Sequence, residues 1–264
     1  MNEFLEKIKK NSVSKVHSDE KIERTVFNLL LNSLDVDTRM ILERSALPHW
    51  FDKNILNVLL DDKIKTPIEN ITKKLLTLSF VKVRADKTYV LHEQVRERLL
   101  AIWHSEREKE YLVLSKRLCE YFNQTNKRRK NTFVIRAEAL YHHLVADPKE
   151  GLIQFQNEIE NKLEQWQLTK VEHLLQLGQE QLWALRSETN LWLNYYKGEL
   201  SLYLADFKNA EHIFNDLLGT SLPMKLRARV LYSQGSLYIK TGKSKEGEAK
   251  LLKAALIQEK SSDV

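Results

Sequence analysis

The chain has 264 residues, 42% hydrophobic and 30% charged, with a mean hydropathy of −0.45; this profile excludes intrinsic disorder and collagen-like architecture and suits one large domain or two smaller ones. Seven glycines and four prolines leave few positions for tight turns, so a mostly helical fold is expected. The net charge of +6 is uneven, with 26 Lys/Arg against 19 Asp/Glu in residues 1–130 and 16 against 17 in residues 131–264, a hint of an anionic partner for the first half or simply a solvated surface.

Met1 to Lys21 is charged and weakly periodic, a leader or loose helix. Ile22, Val26, Leu29, Leu30 and Ser33 then recur at helical spacing. Asp35 offers a cap to a second helix carrying Met40, Ile41 and Leu42, which Pro48 ends. Asp52 caps the next, with Ile55, Leu56, Leu59 and Leu60 on one stripe. Thr66-Pro67 opens another, expected to run to Ser79, with Pro67 at its first position and Ile68, Ile71, Leu75, Leu76 and Leu78 facing inward. The period then changes: Phe80, Val81 and Val83, polar Arg84 to Lys87, and Tyr89, Val90 and Leu91 read as a hairpin. Val95, Leu99, Leu100 and Trp103 restore the helical period. Three helices, a two-stranded wing and a closing helix make a winged-helix topology over residues 22–105.

Within that unit, Leu47-Pro48-His49-Trp50-Phe51-Asp52, Leu78-Ser79-Phe80-Val81-Lys82-Val83 and Tyr89-Val90-Leu91-His92-Glu93-Gln94-Val95-Arg96 resemble the winged-helix subdomain of STAND signal-transduction NTPases, the NACHT and NB-ARC class. In that class a hydrophobic-His-Asp triplet ends the wing, and its histidine contacts the β-phosphate of bound ADP in the closed state. The resemblance places that role on His92, with Glu93 standing where the family has Asp. From the residues alone, a histidine at a strand-to-helix junction can equally cap the helix or bond a neighbouring carbonyl. The family holds its nucleotide mainly with a P-loop, and no G-x-x-x-x-G-K-[ST] occurs in this sequence. The chain alone is therefore expected neither to bind nor to hydrolyse ATP, and no cofactor of its own is expected.

The second half begins after a polar stretch, Asn123 to Thr132, expected as a linker or exposed turn, in which Lys127-Arg128-Arg129-Lys130 could meet phosphates but suits a solvated loop. Residues 106–185 read as a helical connector and degenerate helical repeats, with breaks at Asp147-Pro148 and Gln167-Leu168-Thr169. Residues 186–264 show self-similarity. Gly198, Ala205, Phe207, Ala210 and Phe214 are followed by Gly235, Tyr238, Gly242, Gly247 and Ala254, with Gly198 and Gly235 offset by 37. The two sets are similar to tetratricopeptide repeats, with Asn194 and Ser201 departing from the bulky residues that family prefers. Close packing of Gly198 on Ala210 and of Gly235 on Gly247 is expected within each hairpin. Pairs at Leu152 to Trp166 and Leu168 to Leu185 would extend the array, with Trp166 and Trp183 in its core. Leu256 and Ile257 lie close to Val264, so the last helix exposes an apolar edge or another chain covers it, a route to a homo-oligomer.

Sites for bond-making chemistry are not apparent. His142 and His143 are adjacent and point about 100° apart on a helix, the single Cys119 sits in an amphipathic helix, and no G-x-S-x-G elbow occurs. One cysteine allows no internal disulfide, no signal peptide is evident, and no run of about 18 apolar residues occurs, so a cytoplasmic location without membrane partners is expected. The expected fold class is all-α with a small β wing, a winged helix followed by a tetratricopeptide-like superhelix. The expected function is a non-enzymatic interaction and regulatory module, resembling the sensor and transducer half of a STAND NTPase. Its repeats would bind a protein or peptide, and an ATPase core would come in cis or in trans. The alternative is a transcription regulator whose winged helix reads DNA with Asn70, Lys73, Lys74 and Thr77 in the major groove and Lys82, Arg84 and Lys87 on the backbone, while the repeats sense a ligand. Glu69 on the same face counts against it.

Overall fold

A computed structural model describes residues 27, 29, 31–60, 64–128, 132–185 and 187–262. The leader at 1–21 and the positions Ile22, Val26, Leu30, Arg129 and Lys130 lie outside the described residues. The described chain is mostly helical with one small antiparallel hairpin, and helices pair in the second half. Two compact units divide between Trp103 and His104.

In the first unit, α1 (Val36–Ser45) starts at Asp35, whose carboxylate accepts from the Thr38 amide at 3.0 Å and from its hydroxyl at 2.8 Å. Ile41 and Leu42 are fully buried. The helix closes at Ser45, ahead of Pro48, because the Ser45 hydroxyl donates to the Leu42 carbonyl at 2.7 Å and the Ala46 and Leu47 amides fold back on Glu43 and Arg44. Among the described residues before α1, Phe27 and Leu31 are buried, whereas Leu29, 65% exposed, and Ser33 face outward, unlike the expectation for those two. Asp52 caps α2 (Lys53–Leu59) by accepting from the Ile55 amide at 2.8 Å.

Pro67 precedes α3 (Ile68–Leu75) by one residue, and Asp37 holds this entry by accepting from the Thr66 amide at 3.0 Å and hydroxyl at 2.6 Å. Ile68, Ile71 and Leu75 are buried, but Leu76 is 39% exposed. The helix stops short of Ser79 because the Leu76, Thr77 and Leu78 amides close a tightening turn on Thr72, Lys74 and Leu75. Strands β1 (Val81–Val83) and β2 (Tyr89–Leu91) pair antiparallel, Val81 opposite Leu91 and Val83 opposite Tyr89. The turn places Lys87 at φ 64°, a left-handed conformation that glycine adopts more readily. Phe51, between α1 and α2, adds a one-residue bridge to Tyr89, with reciprocal amide–carbonyl bonds of 2.8 and 2.7 Å. From α4 (Glu93–Glu106), Arg96 donates to the Ala46 carbonyl at 3.0 Å and Trp103 Nε1 to the Glu43 carbonyl at 2.8 Å. Arg44 reaches the Leu59 carbonyl at 2.7 Å. The two arginines satisfy carbonyls left open at helix ends, a requirement for burying them, and Trp103 adds to the 3.4 Å bond that the Glu43 carbonyl accepts from Ala46.

The second unit is a run of helices: α5 (Glu108–Arg128), α6 (Phe133–Ala146), α7 (Pro148–Glu164), α8 (Leu168–Glu180), α9 (Ser187–Tyr203), α10 (Phe207–Leu218), α11 (Met224–Lys240) and α12 (Ser244–Ser262). Residues 123–128, expected as part of a linker, continue α5, because Phe122 and Asn126 extend the buried stripe of Tyr111, Leu114 and Leu118 by further helical steps. Asp147 caps α7, accepting from the Glu150 amide at 3.2 Å, with Pro148 in its first turn. One apolar core runs through α6 to α11, with Leu140, Ile159, Val171, Leu174, Ala210 and Phe214 fully enclosed. Chain-neighbouring helices pack together, and α9 touches both α7 and α11.

Three of the connecting turns are built alike. Trp166, Ala205 and Gly242 follow α7, α9 and α11 with φ of 55°, 59° and 83°, and lie 39 and 37 residues apart. In each turn the next amide reaches five residues back: Gln167 to Lys162 at 2.9 Å, Asp206 to Ser201 at 2.8 Å and Lys243 to Tyr238 at 2.8 Å. The left-handed residue bonds three back, to Leu163, Leu202 and Ile239. This is the Schellman closure of a helix end. Trp166 is 70% exposed rather than part of the core, because its place in the closure turns it outward. Trp183 is partly buried, stacked 3.8 Å on His104.

Candidate functional site

On the first unit, His92 is the junction between hairpin and α4. Its amide donates to Phe80 at 2.8 Å, and its carbonyl accepts from Val95 and Arg96 at 2.9 and 3.0 Å, so the backbone is anchored while the imidazole is exposed. Asn70 and Lys73 are exposed on α3, and Lys82, Arg84 and Lys87 on the hairpin. Lys74 belongs to a different interaction: its ammonium lies 2.7 Å from Asp35. That hydrogen bond, with those from Thr38, holds the Asp35 carboxyl at about 2. Thr77 lies past the end of α3, its hydroxyl donating to the Lys74 carbonyl at 2.7 Å. Arg84 stands 3.7 Å from Asp86, and Glu69 is exposed in the first turn of α3.

On the second unit, a polar seam joins α7, α9 and α11. Glu160 of α7 accepts from the Tyr196 hydroxyl of α9 at 2.6 Å and from the Arg229 guanidinium of α11. Burial alone would push the Glu160 carboxyl up, but these two donors hold it below its ordinary value. Arg229 also lies over the Trp192 ring, 5.6 Å from its centroid, a cation–π arrangement. Beside this pair, Tyr195 and Ser233 bring their hydroxyls to 3.5 Å. Glu199 is pushed up by burial, and among the described residues its Oε1 has no hydrogen-bond partner. Sequence reading missed these residues. The available signal was the repeat offset itself, since Glu160 and Glu199 lie the same 39 residues apart as Trp166 and Ala205.

The repeat residues stand at helix contacts. A side chain on Gly235 would meet the Gly247 carbonyl at 2.9 Å, which accounts for small residues on both helices. Gly198 packs instead against the Phe214 ring, which a Cβ would overlap; the expected partner, Ala210, lies one turn earlier on α10. Ala254 is buried, Tyr238 partly buried with Lys243 4.9 Å above its ring, and Gly242 fills the left-handed turn position.

Among the described residues no group of three or more His, Cys, Asp or Glu could hold a metal ion, and no helix is long and apolar enough to cross a membrane. Burial pushes the Cys119 thiol up to about 11, far from the range of a thiolate nucleophile. His142 is buried, stacked parallel to Phe122 with centroids 6.0 Å apart. In comparison with known proteins, no family model, no curated protein and no solved structure matches this chain.

Proposed function

We propose that the chain is a non-enzymatic interaction and regulatory module of the cytoplasm, a winged helix followed by a tetratricopeptide-like stack, serving as the sensor and transducer half of a STAND-type NTPase. The observation that carries this reading is the repeated closure at Trp166, Ala205 and Gly242. Hairpins closed alike at near-constant spacing stack on their neighbours and act by presenting continuous side-chain surfaces to a partner. In the first unit, the order helix, Phe51 bridge, two helices, hairpin and closing helix supports the winged-helix reading. His92, exposed on an anchored backbone, suits contact with a phosphate of a nucleotide held by a separate core.

A DNA-reading winged helix is the second reading, favoured by exposed Lys73, Lys82, Arg84 and Lys87. It is the weaker one, because Asp35 engages Lys74, Thr77 leaves the helix, and Glu69 faces solvent where phosphates would approach. Two titrations separate the readings. The sensor reading expects no binding of fluorescent ADP by the chain alone and no salt-dependent binding to random duplex at about 50 mM salt. It further expects a P-loop ATPase encoded beside this sequence to co-purify with it and to release ADP faster when His92 becomes Ala. Tight ADP binding by the chain alone, or ADP release unaffected by His92→Ala, overturns it; duplex binding selects the second reading.

A further inference from the structure

Residues 131–264 balance 16 Lys/Arg against 17 Asp/Glu, yet one groove in this half is rimmed by cations alone. It lies among α10, α11 and α12, has a volume of about 450 Å³, and is floored by Leu218, Leu231, Leu256 and Ile257. Arg227, Lys250 and Lys253 complete its lining. Along α12, Lys250, Lys253 and Ile257 recur at i, i+3 and i+7, so charge and floor share one helix stripe about 10 Å long. Among the described residues, no carboxylate forms an ion pair with any of the three cations. Arg227 instead donates to the Thr220 carbonyl at 3.3 Å, which steadies its guanidinium. Partial burial, with Lys253 adding repulsion, holds the Lys250 ammonium below its ordinary value, the condition under which an arriving anion gains most.

We infer that this groove binds an acidic amphipathic segment of a partner polypeptide. The partner seats apolar side chains on the leucine floor while its carboxylates meet Arg227, Lys250 and Lys253. Each half of the groove limits the occupant: the floor disfavours a purely ionic ligand, and the rim repels a basic segment. Two turns of helix match the length of the stripe. The inference rests on the reading of the chain as an interaction module and names the partner class for one of its surfaces, whose lining shares no residue with the Glu160–Arg229 seam.

The test uses the whole chain and a short fluorescein-labelled peptide carrying Leu and Glu at helical spacing, with a Lys-for-Glu counterpart as control. Fluorescence anisotropy is expected to show binding of the Glu peptide alone, weakening as salt rises. Lys250→Glu with Lys253→Glu is expected to reduce affinity at least tenfold. Lys245→Glu with Lys260→Glu, on the same helix outside the groove, is expected to leave it unchanged, and circular dichroism melts establish that both variants fold. Equal binding of the two peptides, equal loss in the two double variants, or preference for phosphatidylserine vesicles over the Glu peptide overturns the inference. A peptide result against the groove, with His92→Ala still altering ADP release, removes this site and leaves the sensor reading standing.

Discussion

Trp166 is a residue in a conformation that suits glycine. Its equivalent, Gly242, occupies the same turn at φ 83°, and a left-handed backbone costs an L residue about 1 kcal/mol or more. With Trp166 70% exposed, removing it loses little beyond an edge contact with Tyr203 at 5.2 Å, worth roughly 0.5–1 kcal/mol. Trp166→Gly is therefore expected to be neutral or stabilising by up to about 1 kcal/mol, and Trp166→Val, with its branched Cβ, to destabilise by about 1 kcal/mol, as read by urea denaturation. Glu199 gives a pH-dependent prediction. Its folded carboxyl titrates above the ordinary 4.5 because burial opposes the charge, only partly offset by Ser233, Arg229 and Lys240. Folding thus favours the protonated acid, so its contribution to stability is present below about 4.5 and is lost as pH rises through the folded value. Glu199→Gln should raise the midpoint of denaturation at pH 7, and this advantage should shrink towards pH 4; an advantage independent of pH would contradict the assignment. Neither residue was legible in advance. Tryptophan does not advertise a left-handed turn as glycine does, and the burial of Glu199 shows in sequence only through its 39-residue offset from Glu160, beyond any local pattern.

The elements that sequence marks with local chemistry appear where it puts them. Asp35 and Asp52 cap helices, the break at Asp147-Pro148 falls between α6 and α7, and the alternation of Val81, Val83, Tyr89 and Leu91 yields the paired strands, because capping and strand period are short-range effects. Element ends were less legible. α5 runs on through polar residues to Arg128, since one buried stripe is enough to sustain a helix, and α3 stops at Leu75 although apolar residues follow. Packing between paired elements is where Gly198 matters. Alanine there gains helix propensity, roughly 0.5–1 kcal/mol, but its Cβ overlaps the fully enclosed Phe214 ring, and overpacking costs roughly 1–3 kcal/mol. Gly198→Ala is expected to destabilise on balance. Adding Phe214→Leu should recover part of the loss, because leucine lacks the ring Cε1 and Cζ atoms that the added Cβ would overlap. A thermal melt of the two variants tests both signs.

At the scale of the whole molecule, the second unit behaves as a chain of hairpins, each held chiefly by its neighbours. α9 and α10 pack between earlier and later helices, whereas α12 packs chiefly on α11 and leaves Leu252 and Leu256 more than half exposed. Hydrogen exchange should therefore be fastest in α12 and slowest in α9 and α10, and equal protection across the unit would show a single cooperative block instead. Mostly helical content with one hairpin was readable from scarce Gly and Pro and from the change of period, but the three-fold recurrence of the turn was only half visible. Gly198 with Ala210 and Gly235 with Gly247 announce two copies, while in the copy before them Ile159 and Val171 occupy the corresponding positions, both fully buried, and large side chains there conceal the kinship. The uniform joint also has a constructive meaning. A segment copied from Asp206 to Gly242 and spliced in after Gly242 begins and ends on the same closure, so the array can be lengthened by one unit without inventing a new corner, as a staircase gains a step.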